Sequence, residues 1–93
     1  MISKDQAETL GLEAVTWLLT HDDLLPIFMG STGADASSFQ ERPLPTELLI
    51  SVLDFILMDD EWVREFCDHQ GRDYQWPYAA REILGAGDKP NWT

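Results

Sequence analysis

The chain has little positive charge, a single cysteine and no apolar run long enough to cross a membrane. Six Lys and Arg stand against 17 Asp and Glu, a net charge of −11. From Asp5 to Glu41 there are seven acids and no Lys or Arg. Such a surface repels nucleic-acid phosphates and anionic membranes; it suits basic proteins, divalent cations or plain solubility. Direct nucleic-acid binding and membrane attachment are therefore not expected. The lone Cys67 excludes an internal disulfide and points to a reducing compartment. The first residues, MISKDQAETLG, hold no apolar h-region, so no secretory signal is expected and the cytoplasm is the expected location. No CxxC, HExxH, GxSxG, Gly-rich phosphate loop or Asp-x-Asp-x-Asp-Gly calcium loop occurs. No cofactor or metal site is expected, and these absences point away from an enzyme. Strand-like alternation and internal repeats are missing too.

What is present is enough for one fold. Hydrophobic residues make up 44% of the 93 positions, with four tryptophans, so a single ordered domain over residues 1–93 is expected despite the charge. Its organising stretch is residues 44–71, LPTELLISVLDFILMDDEWVREFCDHQG. On one continuous helix, Leu48, Val52, Phe55, Ile56, Trp62, Val63 and Phe66 would share a face, with Asp59 in its middle. Burying an unpaired carboxylate is costly, so the pattern predicts a break at Asp59 or Asp60. Either acid then caps the second helix, and Glu61 favours its dipole. The first of the two helices, about 45–58, is apolar nearly all round. Only Glu47, Ser51 and Asp54 form a polar stripe. Such a helix must be surrounded by others. At roughly 14 residues it is too short for a bilayer, which needs about 20.

The expected architecture is all-α, a compact bundle of five to six short helices around this central one. Ser3 and Gln6 form a capping-box pattern, and Ala7, Leu10, Gly11, Ala14, Trp17 and Leu18 share one face. Gly11 on that face predicts close approach of a neighbouring helix. Leu12 and Leu19 point elsewhere, which predicts contact on a second side. His21-Asp22-Asp23 reads as a turn, with Asp22 or Asp23 capping a short helix, and Gly30 and Gly33 bracket Ser31-Thr32 as its stop and a loop. Asp35 reads as the cap of a single short helix anchored by Phe39, and Pro45 suits the first turn of the central helix. After the break, Trp62, Val63, Phe66 and Cys67 make an apolar face, and Gly71 is the expected helix end. A last helix is predicted over about Trp76–Leu84, with Gly85 at its end. The tail 86–93 is expected to dock through Trp92, whose indole would otherwise leave a large apolar surface in water.

Several segments resemble one family. AETLGLEAVTWLLTH at 7–21, LLPIFMGSTGAD at 24–35, VLDFILMDDEWVREFCD at 52–68 and the closing NWT at 91–93 look like a group of short bacterial proteins known as domain of unknown function 3572. The likeness runs almost end to end, and LMDDEWV with the final WT is its most specific part. It implies a small acidic helical protein and brings no activity, cofactor or catalytic residue with it.

Candidate chemistry is sparse. Asp59, Asp60 and Glu61 are consecutive and point about 100° apart on a helix, so capping explains them better than metal binding. His21-Asp22-Asp23 lacks a second His or Cys at ligand spacing. Cys67 and His69 diverge by about 200° on a helix, and Cys67 belongs to an apolar face, so a buried inert thiol is expected. Of the aromatics, Tyr74, Trp76, Tyr78 and Trp92 are the set expected to be exposed, as interface anchors.

Three functions follow. The first is a protein-interaction module that docks on a partner protein, a basic one on the charge argument. Its surface would be Tyr74, Trp76, Tyr78 and Trp92 together with Asp59, Asp60 and Glu61. The second is a DNA mimic that blocks a nucleic-acid-binding protein, which needs the acids ranked along one ridge. The third is a small-molecule or metal-dependent enzyme, which needs His21, Asp59 and His69 to converge. A helix-turn-helix DNA reader is excluded, because Arg64 is the only base of its second helix and has Glu65 and Asp68 beside it.

Overall fold

The computed structural model describes residues 2–86. The predicted docking of Trp92 therefore lies outside the described residues. Five α-helices and one 3-10 turn account for the described chain: α1 Lys4–Leu19, α2 Leu25–Thr32, the 3-10 turn Ala36–Phe39, α3 Thr46–Leu57, α4 Asp60–Gln70 and α5 Trp76–Ala86. Helices α1, α3 and α5 pack against one another, and α3 also touches α2 and α4. The central apolar helix thus has neighbours on every buried side, as its composition demands.

Local chemistry places most boundaries. The Ser3 hydroxyl accepts from the Gln6 N–H at 3.1 Å, and the Gln6 side-chain Oε1 accepts from the Ser3 N–H at 2.8 Å, closing the capping box of α1. Ile2 and Ala7 flank this box at the positions that staple a helix start, and both are buried. Asp35 accepts from the N–H groups of Ser37 and Ser38 and starts the 3-10 turn, which Phe39 anchors in the core. The break falls at Asp59, which caps α4 by accepting from the Glu61 N–H at 2.8 Å. Gly71 ends α4 at φ +69°, in the left-handed region that glycine enters freely.

Close approach of α1 to α3 passes through Gly11. A methyl group there would sit 3.0 Å from Leu49 Cβ. Around this crossing, Leu10, Ala14, Leu18, Val52, Leu53, Ile56 and Phe66 are fully enclosed. A run of rings crosses the core beside them. Phe28 meets Phe39 and Phe55 at centroid separations of 6.1 and 5.5 Å, and Trp62 stacks on Phe55 at 4.9 Å. Each such pair adds about 0.5–1.5 kcal/mol beyond burial.

Five expectations need correction. Neither Asp22 nor Asp23 caps α2; its N-cap position is Leu24, with no side-chain hydrogen bond. The N–H groups of Leu24 and Leu25 bond instead to the His21 carbonyl, so the chain enters α2 through a backbone turn. Of the two glycines expected to bracket a loop, Gly30 lies inside α2, which continues through Ser31 and Thr32, and only Gly33, at φ +78°, ends the helix. Helix α5 likewise continues through Gly85 to Ala86. Leu12 and Leu19 remain 47% and 42% exposed, so α1 is covered on one side more fully than on the other. Met58, part of the run that made α3 look apolar all round, is 79% exposed. It continues the stripe of Glu47, Ser51 and Asp54 at helical spacing, and that stripe faces water.

Candidate functional site

Helix α5 carries the candidate site. Gln75, Tyr78, Ala79 and Glu82 follow one another at i, i+3, i+4 and i+7, a single stripe. Together with Ile2, Asp73 and Trp76 they line an open groove of about 470 Å³. Its walls are apolar and aromatic, and two carboxylates, Asp73 and Glu82, stand among them. Tyr78 is 45% exposed. Asp73 Oδ1 accepts from the Gln75 N–H at 2.9 Å, which holds the turn into α5. Among the described residues no ion pair engages Glu82.

Trp76 is held in place by α1. Glu13 accepts two hydrogen bonds from Arg72, from Nε at 3.2 Å and from Nη2 at 2.7 Å. This paired geometry is the most directional an arginine and a carboxylate form. The guanidinium then lies over the Trp76 ring, 4.9 Å from its centroid. One side of the indole is thus occupied by a fixed cation, and the ring borders the groove as a preset wall.

The structure separates the residues that the sequence proposed as one surface. Trp76 and Tyr78 share the groove. Tyr74 does not line it; its hydroxyl donates to Asp68 of α4 at 2.7 Å, and that hydrogen bond raises the phenol pKa above its ordinary value. Asp59, Asp60 and Glu61 form the first turn of α4 and do not line the groove either. Trp92 lies outside the described residues. Ile2, Asp73, Ala79 and Glu82 were not singled out from the sequence. The α5 residues among them were findable from the i, i+3, i+4, i+7 stripe. Ile2 had no such signal.

A second cavity, about 290 Å³, lies between α1 and α4 and is lined by Thr16, Trp17, Thr20, His21, Glu65, His69 and Gln70. It brings His21 and His69 to one place, but not Asp59. Asp59 precedes His69 by ten residues at the far end of α4, about 15 Å of helical rise. The three groups of the enzyme hypothesis therefore do not converge. Both His21 nitrogens are engaged: Nδ1 lies 2.6 Å from the Trp17 carbonyl and Nε2 lies 2.6 Å from Glu65. Cys67 is fully buried, and burial pushes its thiol up to about 11, with Asp68 and Asp73 adding to the effect. Its Sγ faces the Asp73 carbonyl at 3.6 Å. Among the described residues no group of three or more His, Cys, Asp or Glu could hold a metal ion, and no helix is long and apolar enough to cross a membrane.

Fold and site together define a small all-α bundle with one preset aromatic groove. The chain belongs to the family described as Protein of unknown function (DUF3572), whose model matches residues 4–87. Comparison with curated proteins and with solved structures finds no match.

Proposed function

We propose that this chain is a protein-interaction module and that the α5 groove is its docking surface. One observation carries the reading: an exposed groove walled by Ile2, Trp76, Tyr78 and Ala79, with Asp73 and Glu82 among its lining. Aromatic side chains with a polar tip are the usual anchors of protein interfaces. The two carboxylates select a segment that brings an apolar side chain together with a cation. The net charge of −11 favours the same partner at long range. The Glu13–Arg72–Trp76 chain supports the reading as well, since a wall fixed before binding loses less entropy on binding.

The test is affinity co-purification of the full chain from its host extract at low and at high salt. It is run beside a Tyr78→Ala, Glu82→Lys double variant. The expected result is a stoichiometric protein held by the native chain at low salt, released at high salt and absent from the variant. Identical proteins held by both chains, or nothing held by either, would remove the groove from consideration.

A further inference from the structure

Leu12 and Leu19 are exposed on α1, and neither lines the α5 groove. They line a further apolar groove of about 430 Å³, whose other wall is the stretch 39–44 with Phe39, Arg42, Pro43 and Leu44. The α5 groove and the α1–α4 cavity both hold carboxylates, Asp73 and Glu82 in one and Glu65 in the other. This groove holds none, and its one ionisable lining residue is Arg42. We propose that it binds a straight-chain monocarboxylate of the length of octanoate to decanoate, with the carboxylate on Arg42 and the alkyl chain along α1. The site is separate from the docking groove on α5.

Arg42 is set for a carboxylate. Its Nη1 donates to the Phe39 and Glu41 carbonyls at 2.8 and 2.9 Å. Both Nη1 hydrogens are thereby engaged, which fixes the guanidinium and leaves its Nε–Nη2 edge. That is the edge with which Arg72 grips Glu13. Among the described residues no carboxylate pairs with Arg42. The adjacent Glu41 lines a neighbouring cavity with Glu47 instead.

The rest of the lining selects what the carboxylate is attached to. Apart from Arg42 the one polar side chain is Thr16, and its hydroxyl donates to the Leu12 carbonyl at 3.1 Å. Pro43 has no N–H to offer. A peptide would bring several amide groups that need partners, whereas an alkyl chain brings none. Leu12 and Leu19 are seven residues apart, about 10 Å along α1, which sets the chain length. The net charge of −11 decides against a second copy as the occupant. Repulsion between two copies grows with the product of two such charges, while a monocarboxylate brings only one.

The test is a titration of the full chain at neutral pH with hexanoate, octanoate, decanoate and octanol, followed by amide and arginine Nε–H signals. Octanoate is expected to move the signals of Leu12, Thr16, Leu19, Leu44 and the Arg42 Nε–H saturably, and to leave Tyr78 and Ala79 in place. Each added methylene should tighten binding about two- to fourfold. Octanol should bind about tenfold more weakly than octanoate, and Arg42→Gln should abolish that difference. Leu12→Gln, at an exposed position, should weaken acid and alcohol alike, and it keeps the test open should Arg42→Gln fail to fold. Unmoved groove signals, affinities independent of chain length, or octanol equal to octanoate on the native chain overturn the proposal. A preference for octanoate that survives Arg42→Gln, or binding unchanged by Leu12→Gln, does the same. Tighter binding of acetyl-leucyl-leucine than of octanoate would overturn it in favour of a peptide C-terminus. Groove signals that move on dilution of the protein alone would overturn it in favour of a second copy.

Discussion

His21 Nε2 lies 2.6 Å from Glu65 Oε2, a contact across 44 residues of sequence that ties the end of α1 to α4. The other ring nitrogen faces the Trp17 carbonyl at 2.6 Å. Two acceptors on one ring suit the imidazolium, which donates from both nitrogens; the neutral ring donates from only one.

Stability is therefore expected to depend on pH through His21. Burial is the largest influence and opposes the charge. The Trp17 carbonyl, the Glu65 carboxylate and the more distant Asp23 together outweigh it and raise the pKa above 6.5. A group raised on folding contributes in full below its unfolded value and loses the contribution as pH climbs through the folded one. The melting temperature should fall from about pH 6 upward, and Glu65→Gln should flatten that decline. Superimposable pH profiles for the two proteins would show that the pair has no such role.

Gly11 and Gly30 should respond to alanine with opposite signs. At Gly11 the new methyl meets Leu49 Cβ at 3.0 Å, Cδ1 at 3.2 Å and Cγ at 3.4 Å. Cβ is fixed to the α3 backbone, so the two helices must move apart. Overpacking of this kind costs about 1–3 kcal/mol, against a helix-propensity gain of about 1 kcal/mol, and a net loss is expected. At Gly30, inside α2, nothing lies within 4 Å. Gly30→Ala should stabilise by about 0.5–1 kcal/mol. Urea midpoints of both variants measure the signs. A stabilised Gly11→Ala would mean that α1 and α3 do not cross so closely.

Asp59 and Asp60 are neighbours with different tasks. Asp59 accepts the Glu61 N–H, whereas Asp60 is an exposed residue of the first turn of α4. Asp59→Ala should cost about 1 kcal/mol through the lost cap. Asp60→Ala removes only a charge near the helix start and should stay within about 0.5 kcal/mol. Equal losses in thermal denaturation would contradict the capping assignment.

Cys67 should be inert while the protein is folded. Its thiol is buried and pushed up to about 11. At pH 8 the pKa alone slows alkylation about a hundredfold relative to the unfolded chain, and burial slows it further. Labelling should therefore follow unfolding, with a rate that rises with denaturant. Fast modification of the native protein would place the thiol at the surface.

Much of this fold could be read along the chain, because its signals are local. The capping box at Ser3, the cap at Asp35, the break at Asp59 and the glycine end at Gly71 each involve groups within a few residues of one another. The burial of Cys67 follows from helical period, and the glycine at position 11 announces a close neighbour without naming it. Weaker local signals point the wrong way. Acidic residues before α2 suggested a cap, yet the His21 carbonyl receives the N–H groups.

The sequence by itself determined a small acidic all-α domain and the places where its helices begin and stop. Backbone hydrogen bonds, caps and apolar period all act within a turn or two of the chain. Only the tertiary structure decided which helices meet and which side chains they bring together. Glu13 reaches Arg72 across 59 residues, Asp54 reaches Arg81 across 27, and Ile2 joins the α5 stripe to make the groove. Those pairings depend on how the helices cross, and the crossings are settled by the whole core at once through contacts such as Gly11 against Leu49.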